Sequence, residues 1–251
     1  MRPVSRRLRI AVLNRSFSPV AGGAERYSIA LVEKLAAKHE IHVFAQSIDH
    51  CWPGVTYHHI SMPLRRPRWI NQLWFATLTW WATRRGFDVV HSHENTWHGQ
   101  VQTVHVLPIK HNLFHGLEGW ARLARLLNVL TSPRLVVYLL LERARYAIHE
   151  DRAVVLISET LRTIFSLSYP GAIGMTSVIF PGIDLPAHPV GAVDRSSARR
   201  ELGLPPDKTC LLFVGNDLRK KGLDALLLAM QRMPTDVVLV VVGDSAQRPH
   251  F

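Results

Sequence analysis

The chain has 251 residues and a formal net charge of +11, with 30 Lys and Arg against 19 Asp and Glu. Its two cysteines lie far apart without metal-ligand spacing, which excludes a disulfide framework and fits a reducing compartment. No apolar run approaches the roughly 20 residues of a membrane-spanning helix, and no secretory signal is visible, so we expect a cytoplasmic location. The excess of arginine favours an anionic partner, although an arginine-rich proteome would also account for it.

The first predicted strand covers residues 8–14, an apolar run typical of a buried parallel strand. A loop then reaches Gly22 and Gly23, where the spacing of apolar residues predicts a helix over residues 23–38. Amides at a helix N-terminus favour an anion, and two glycines let a phosphate approach the backbone. Because the GxGxxG fingerprint is missing, this pair indicates either a phosphate site or a simple loop-to-helix junction.

Strands and helices continue to alternate through the first part of the chain. Further strands are predicted at residues 41–45, 55–62, 87–91, 101–105, 153–157 and 177–180. A helix over residues 65–85 carries several tryptophans between arginine-rich ends, which suits either a membrane interface or a helix that covers the sheet. A long helical stretch at 117–150, broken near Pro133, carries arginines that suit a membrane or acceptor surface or a solvated face.

Proline and glycine mark a linker between two parts of the chain. We expect a first domain at residues 1–183, a linker at 184–205 and a second domain at 206–251. The second part repeats the strand–loop–helix pattern, and its loop begins at Gly215 and carries Lys220 and Lys221. Basic residues in such a loop can bind a diphosphate. Alternatively, the two lysines are simply part of an exposed basic turn. Two strands and one helix do not make a stable doubly wound sheet, so we expect the second domain to be only begun.

Histidines cluster at predicted strand ends. His91 and His93 have an H-x-H spacing that also occurs in metal-dependent hydrolases, but only His105 offers a further ligand at a comparable strand end. We therefore expect these histidines to line a cleft and not to hold a metal. His105 is expected at the same edge of the sheet as Gly22 and Gly23. A neutral imidazole there can hydrogen-bond a sugar hydroxyl, with a structural histidine as the alternative.

Taken together, these segments resemble the retaining glycosyltransferases of family 4, which have the GT-B architecture of two facing Rossmann-like domains. The motifs that carry the resemblance are Gly22-Gly23-Ala24-Glu25-Arg26, His105, Ile157-Ser158, Ile179-Phe180-Pro181-Gly182-Ile183-Asp184, Phe213-Val214-Gly215-Asn216-Asp217 through Lys221-Gly222, and Val241-Val242-Gly243-Asp244. Within the family, Leu141-Glu142-Arg143-Ala144 and Pro181-Gly182-Ile183 look most like the lipopolysaccharide-core glucosyltransferase I branch. The resemblance implies an α/β fold of GT-B type, with a complete N-terminal Rossmann-like domain on the acceptor side and the beginning of a nucleotide-sugar-binding domain.

The resemblance also implies an activity. A sugar would pass from a nucleotide-sugar donor to a glycan or lipid-linked acceptor, with retention and without a metal or other cofactor, in cell-envelope polysaccharide or lipopolysaccharide synthesis. By resemblance, Gly22 and Gly23 approach the donor phosphates, and His105 is the catalytic-site residue beside the transferred sugar. Lys220 and Lys221, in the loop that begins at Gly215, bind the diphosphate. The glutamate pair that the family spaces E-x7-E is absent, so we expect this truncated chain alone to be inactive or nearly so.

Two other classes of function stay open at this stage. One is a metal-dependent hydrolase that uses His91 and His93, and the other is a non-catalytic basic domain that binds a membrane. Nucleic acid is not expected as a partner, because no recognised nucleic-acid-binding module appears. An anionic membrane surface, at the inner face of the plasma membrane, is a further candidate partner, because acceptors of the resembled family are often lipid-linked.

Overall fold

The structure of the protein, a computed structural model, describes residues 6–64, 66–183, 191–215 and 217–243. The chain divides into two compact units, Met1–Gly182 and Ile183–Phe251. Some of the sequence features discussed above lie outside the described residues: Arg65 in the tryptophan-rich segment, most of the expected linker at 184–190, Asn216, and the stretch from Asp244 onwards.

The first unit alternates strands and helices, as the sequence predicts. Its strands are β1 (Arg9–Leu13), β2 (Ser16–Phe17), β3 (Glu40–Ala45), β4 (Ser47–Ile48), β5 (Val55–His59), β6 (Val89–Ser92), β7 (Val101–Val104), β8 (Ala153–Leu156) and β9 (Thr176–Val178). Its helices are α1 (Gly23–Ala36), α2 (Arg68–Thr83), α3 (Ile109–Phe114), α4 (Gly119–Thr131), α5 (Pro133–Arg145) and α6 (Glu159–Ser168), followed by a 3-10 helix (Pro170–Met175).

Seven of these strands form one parallel sheet in the order β5-β3-β1-β6-β7-β8-β9. The chain runs outward from β1 to β3 and β5, and then returns to add β6 on the other side of β1. The strand order therefore reverses between β1 and β6. Because the carboxyl ends of parallel strands meet at one edge, such a reversal opens a crevice at that edge, where ligands bind in open α/β sheets.

Helices cover both faces of the sheet, so β1 is buried over most of its length. One face packs against Val32 of α1, and the other packs against Phe75 of α2. A third apolar cluster surrounds Phe165 of α6, beneath β7 and β8. Ser158 caps α6 by accepting a hydrogen bond from the Leu161 amide, as predicted.

The tryptophan-rich helix and the long helical stretch both differ in detail from the prediction. α2 buries Phe75 and Ala76 against the sheet, while Trp81 on its other side is 63% exposed. The predicted stretch at 117–150 consists of α4 and α5, which meet at a bend of 97° just before Pro133. Across the described ranges no single helix is long and apolar enough to cross a membrane, although the bent pair α4–α5 meets the length and composition requirement.

The second unit contains α7 (Ala192–Glu201), β10 (Thr209–Val214), α8 (Leu223–Met230) and β11 (Val237–Val242). β10 and β11 pair in parallel along their whole length, and Leu218 and Leu223 are buried near the start of α8. The two predicted strands and the helix between them are therefore present.

Candidate active site

Residues that follow three adjacent strands meet at the crevice of the first unit. Asn14 follows β1, His93 and Glu94 follow β6, and His105 follows β7. They lie on both sides of the point where the strand order reverses. The sheet topology therefore brings together side chains that are far apart in the sequence.

Gly22 and Gly23 form the start of α1, as predicted. The backbone of Gly22 is extended, and none of the described side chains caps the first turn of the helix. A Cβ atom at Gly23 would have no heavy atom within 4 Å, whereas at Gly22 it would meet the flexible carboxylate of Glu25. The protein itself therefore does not require glycine at position 23, and the first-turn amides are open to an anion.

Tyr27 connects the start of α1 to the histidines. It lies one helical turn beyond Gly23, and its ring centroid is 5.1 Å from that of His105 and 5.9 Å from that of His93. Burial raises the pKa of the Tyr27 phenol. The structure therefore places Gly22, Gly23 and His105 in one region, through a residue that the sequence analysis did not single out.

His91, His93 and His105 form a stacked arrangement that we call the histidine layer. The ring centroids are 4.5 Å apart for His91 and His93, and 5.4 Å apart for His93 and His105. His93 Nδ1 lies 3.0 Å from His105 Nε2, and His91 Nε2 lies 2.7 Å from the hydroxyl of Thr103. The layer is thus a hydrogen-bonded unit that spans the ends of β6 and β7.

The histidine layer is held in its neutral form. Burial is the main cause, and it lowers the pKa of His91 and of His105 to about 4 and that of His93 well below its usual range. The nearby positive charge of Arg145 acts in the same direction. At neutral pH each ring therefore offers one N–H donor and one acceptor nitrogen.

Arg145 is a buried cation beneath this layer, with 6% of its surface exposed. Its Nε donates to Gln102 Oε1 at 2.9 Å, and its Nη2 donates to the Thr103 carbonyl at 2.7 Å. Among the residues that the structure describes, Arg145 forms no ion pair. The sequence analysis grouped Arg145 with the arginines of a membrane, acceptor or solvated surface, and for Arg145 this is wrong, because Gln102 and Thr103 of β7 hold it in the interior.

Glu94 and Arg15 form a second polar pair at the crevice. Glu94 accepts a hydrogen bond from the Arg15 amide at 3.0 Å, and the Arg15 side chain donates to Gln72 at 2.9 Å. Burial raises the pKa of the Glu94 carboxyl, while Arg15 opposes that effect. This pair ties the loop after β1 to the loop after β6, and the sequence analysis did not identify it.

The metal-site alternative is not supported by the arrangement of the histidines. Within the described parts of the chain, no three or more His, Cys, Asp or Glu residues are grouped so that they could hold a metal ion. His91 is engaged by Thr103, and His93 and His105 are engaged by each other.

The second unit holds the other predicted site residues. Lys220 Nζ lies 2.8 Å from Asp217, whose hydrogen bond raises the pKa of Lys220. Gly222 is the N-cap residue just before α8 and has a φ of 89°, a left-handed conformation that favours glycine. The side chain of Lys221 packs beside Gly215, where a Cβ atom would lie 3.0 Å from Lys221 Cγ. Gly215, Lys220 and Lys221 are thus brought together at one end of β10.

An open parallel sheet with a glycine helix start at the point where its strand order reverses is the arrangement in which α/β proteins bind phosphate-containing ligands. Comparison with known proteins gives the family. The sequence profile of Glycosyltransferase Family 4 matches residues 21–186, about two thirds of the chain. The chain belongs to Glycosyltransferase Family 4, as the resemblance predicted.

Several curated proteins are similar to the chain. A D-inositol 3-phosphate glycosyltransferase of Geodermatophilus obscurus is 29% identical, over 91% of this chain and 55% of its own length. Another, from Xylanimonas cellulosilytica, is 41% identical over 29% of this chain and 18% of its own. An alpha-maltose-1-phosphate synthase of Mycobacterium tuberculosis is 32% identical over 41% of this chain and 27% of its own. The chain thus spans at most about half the length of these relatives.

Two solved structures share the fold. WaaG, a glycosyltransferase involved in lipopolysaccharide biosynthesis, is 17% identical with a TM-score of 0.77, covering 96% of this chain and 65% of WaaG. Anabaena HepE in complex with UDP and glucose is 14% identical with a TM-score of 0.63, covering 97% of this chain and 63% of HepE. These likenesses confirm the predicted GT-B type of fold.

Proposed function

We propose that the protein transfers a sugar from a nucleotide-sugar donor to an acceptor, with retention of configuration. The observation that carries the proposal is the contact of Tyr27 with His105, which joins the glycine start of α1 to the neutral histidine layer. A phosphate-binding helix start beside a neutral hydrogen-bonding side chain suits a donor with both a diphosphate and a sugar. HepE, which shares the fold, has been solved with UDP-glucose.

Each predicted residue has a role in this proposal. The amides of Gly22 and Gly23 approach the donor phosphates, helped by the positive end of the α1 dipole. Lys220 and Lys221, with Gly215 at the base of their loop, bind the diphosphate and stabilise the negative charge that builds up on the leaving nucleoside diphosphate. His105 hydrogen-bonds the transferred sugar. We propose the first unit as the acceptor-side domain and the second as part of the nucleotide-sugar domain.

The acceptor is proposed to be an anionic glycan or lipid-linked glycan of the cell envelope. A cavity of about 290 Å³ lies beside α3 and the start of α4, and Lys110, His111, His115 and Arg122 contribute to its lining. These groups suit a phosphate or a carboxylate. The fold shared with WaaG makes lipopolysaccharide synthesis a specific candidate.

We further propose that α4 contacts an anionic membrane surface on the cytoplasmic side. Trp120, Leu127 and Leu130 lie on one side of α4 and are 77%, 53% and 65% exposed, whereas only Val129 of this helix is buried. Exposed apolar residues at helical spacing favour an interface, and the exposed Arg122 and Arg125 favour anionic headgroups.

Donor binding is tested by titrating the purified chain with UDP-glucose and following its backbone amide and histidine-ring NMR signals. We expect shifts at the amides of Gly22 and Gly23 and in the His105 ring. The Gly23→Ala variant should fold normally, because a Cβ atom there meets nothing, yet it should weaken binding about tenfold, or roughly 1.4 kcal/mol. Gly174→Ala is the matched control, since its Cβ atom is also unobstructed. Unchanged affinity in Gly23→Ala would refute the phosphate role of this turn.

Membrane binding is tested by sedimentation with vesicles of phosphatidylcholine alone or with added phosphatidylglycerol. We expect pelleting with the anionic vesicles, and loss of that pelleting in Trp120→Ala. Trp81→Ala tests α2 in the same assay, and Ile148→Ala, which removes an apolar side chain that is 68% exposed outside both helices, is the control. Equal pelleting on both kinds of vesicle would remove the electrostatic part of the proposal.

A further inference from the structure

The inference concerns His93, the middle ring of the histidine layer. His93 is partly buried between His91 and His105, and its Nδ1 is 3.0 Å from His105 Nε2. The distance alone does not say which nitrogen carries the proton, because either imidazole can be the donor. The two possibilities give His105 opposite tautomers.

The buried side of His93 distinguishes these possibilities. No protein atom in the described residues accepts from or donates to His93 Nε2, although this atom is buried. A proton on Nε2 would be a buried donor without an acceptor, and orphaned N–H groups are rarer in proteins than under-satisfied acceptors. The favoured arrangement therefore has the His93 proton on Nδ1, where it is donated to His105 Nε2.

This arrangement determines what His105 can offer. With Nε2 accepting from His93, a neutral His105 carries its proton on Nδ1. His105 is partly exposed, and among the described residues its hydrogen bond to His93 uses Nε2 and leaves Nδ1 available. The Nδ1–H group is therefore the donor that His105 presents to a ligand, with a hydroxyl oxygen as a suitable acceptor.

We propose that His93 is a positioning residue that holds His105 in the Nδ1–H tautomer, so that His105 donates to a hydroxyl oxygen of the donor sugar. The role in sugar binding rests on the function proposed above, whereas the control of the tautomer does not. Because burial and Arg145 keep the layer neutral, the tautomer is maintained across the neutral pH range. His93 acts only through His105 and need not touch the sugar.

The tautomer is measured by long-range ¹H–¹⁵N NMR of the histidine rings in the full chain at pH 7.5. We expect the His105 proton on Nδ1 in the wild-type protein. In His93→Leu, which removes the donor, the proton should move to Nε2. In His93→Asn, whose amide nitrogen lies near the position of the lost Nδ1, the wild-type tautomer should be retained. If the wild-type protein carries the His105 proton on Nε2, this single measurement overturns the inference, and no variant is needed.

A second readout separates this inference from the proposed function. The ratio of the affinities for UDP-glucose and for UDP reports on contacts to the sugar alone. We expect His93→Leu to reduce that ratio several-fold while UDP binding is unchanged, and His93→Asn to restore it. If the tautomer responds as expected and the ratio does not, then control of the tautomer stands, and the sugar-facing role of His105 is wrong. If His93→Leu leaves the tautomer unchanged, His93 has no positioning role.

Discussion

The carboxylate of Glu142 offers a sharp test of how the site is supported. It is 3% exposed, and it accepts hydrogen bonds from the amides of Ile109 and Lys110 at the start of α3 and from the Tyr169 hydroxyl at 2.6 Å. Burial and this carboxylate together raise the pKa of Tyr169. Because α3 begins shortly after His105, Glu142 anchors the segment that follows the proposed catalytic-site residue.

The loss of stability expected in Glu142→Ala follows from the hydrogen-bond donors that would lose their acceptor. Two amides and one hydroxyl lose their acceptor, at roughly 1–3 kcal/mol each. Removing a buried carboxylate from the protein also relieves its desolvation, which offsets several kcal/mol of that loss. We therefore expect the free energy of unfolding to fall by about 3 kcal/mol, which corresponds to a decrease in Tm of roughly 6–12 °C for a domain of this size.

Urea denaturation followed by circular dichroism measures this change. Glu142→Gln should give an intermediate loss, because one amide oxygen remains as an acceptor. Glu150→Ala is the control, since this exposed glutamate should change stability by no more than about 0.5 kcal/mol. A loss for Glu142→Ala equal to that of the control would refute the proposed anchoring of α3.

Three further predictions concern the first unit. Because the pKa values of the histidine layer are lowered, the unfolded chain binds more protons than the folded one between about pH 6.5 and 4. The urea midpoint should therefore stay constant above pH 6.5 and decrease as the pH is lowered from about 6.5 to 4. The raised pKa of Glu94 has a weak effect in the opposite direction. Phe165→Ala removes a fully buried ring, and in the same assay it should lower the free energy of unfolding by about 3–5 kcal/mol. Phe180→Ala is the control, because the Phe180 side chain is 65% exposed and its removal should not lower the free energy of unfolding by that amount. Arg145→Met should raise the pKa of His105 in an NMR titration, while burial keeps it below its usual value; an unchanged pKa would contradict the electrostatic role of Arg145.

Much of the fold was predictable because its signals are local. The apolar run of β1 and the helical spacing after Gly23 predicted the first strand and helix, and Ser158 predicted the start of α6. These features depend on neighbours along the chain, which the sequence shows directly. The same holds for the second unit, where the strand, the lysine-bearing loop and the helix appear where the sequence indicated them.

The parts that were missed depend on contacts between distant segments. α3 is a short helix whose first amides are held by Glu142, so its own residues carry little signal. Tyr27 and Arg145 are ordinary helical residues until the sheet order brings α1, β7 and α5 together. Glu94 likewise acquires its partner only because β1 and β6 are adjacent.

The neutrality of the histidine layer explains why one proposed site uses two kinds of polar chemistry. A donor diphosphate is negatively charged, and helix amides and lysines suit it because they supply positive potential. The sugar is uncharged, and a charged imidazole beside it would have to be desolvated without a counter-charge. Burial together with Arg145 prevents that charge, so that His105 offers a directional hydrogen bond, while the attraction for phosphate stays with α1 and the loop that carries Lys220 and Lys221. On this reasoning the charge of each group decides which end of the donor it suits: the neutral His105 suits the sugar, and the helix amides and lysines suit the diphosphate.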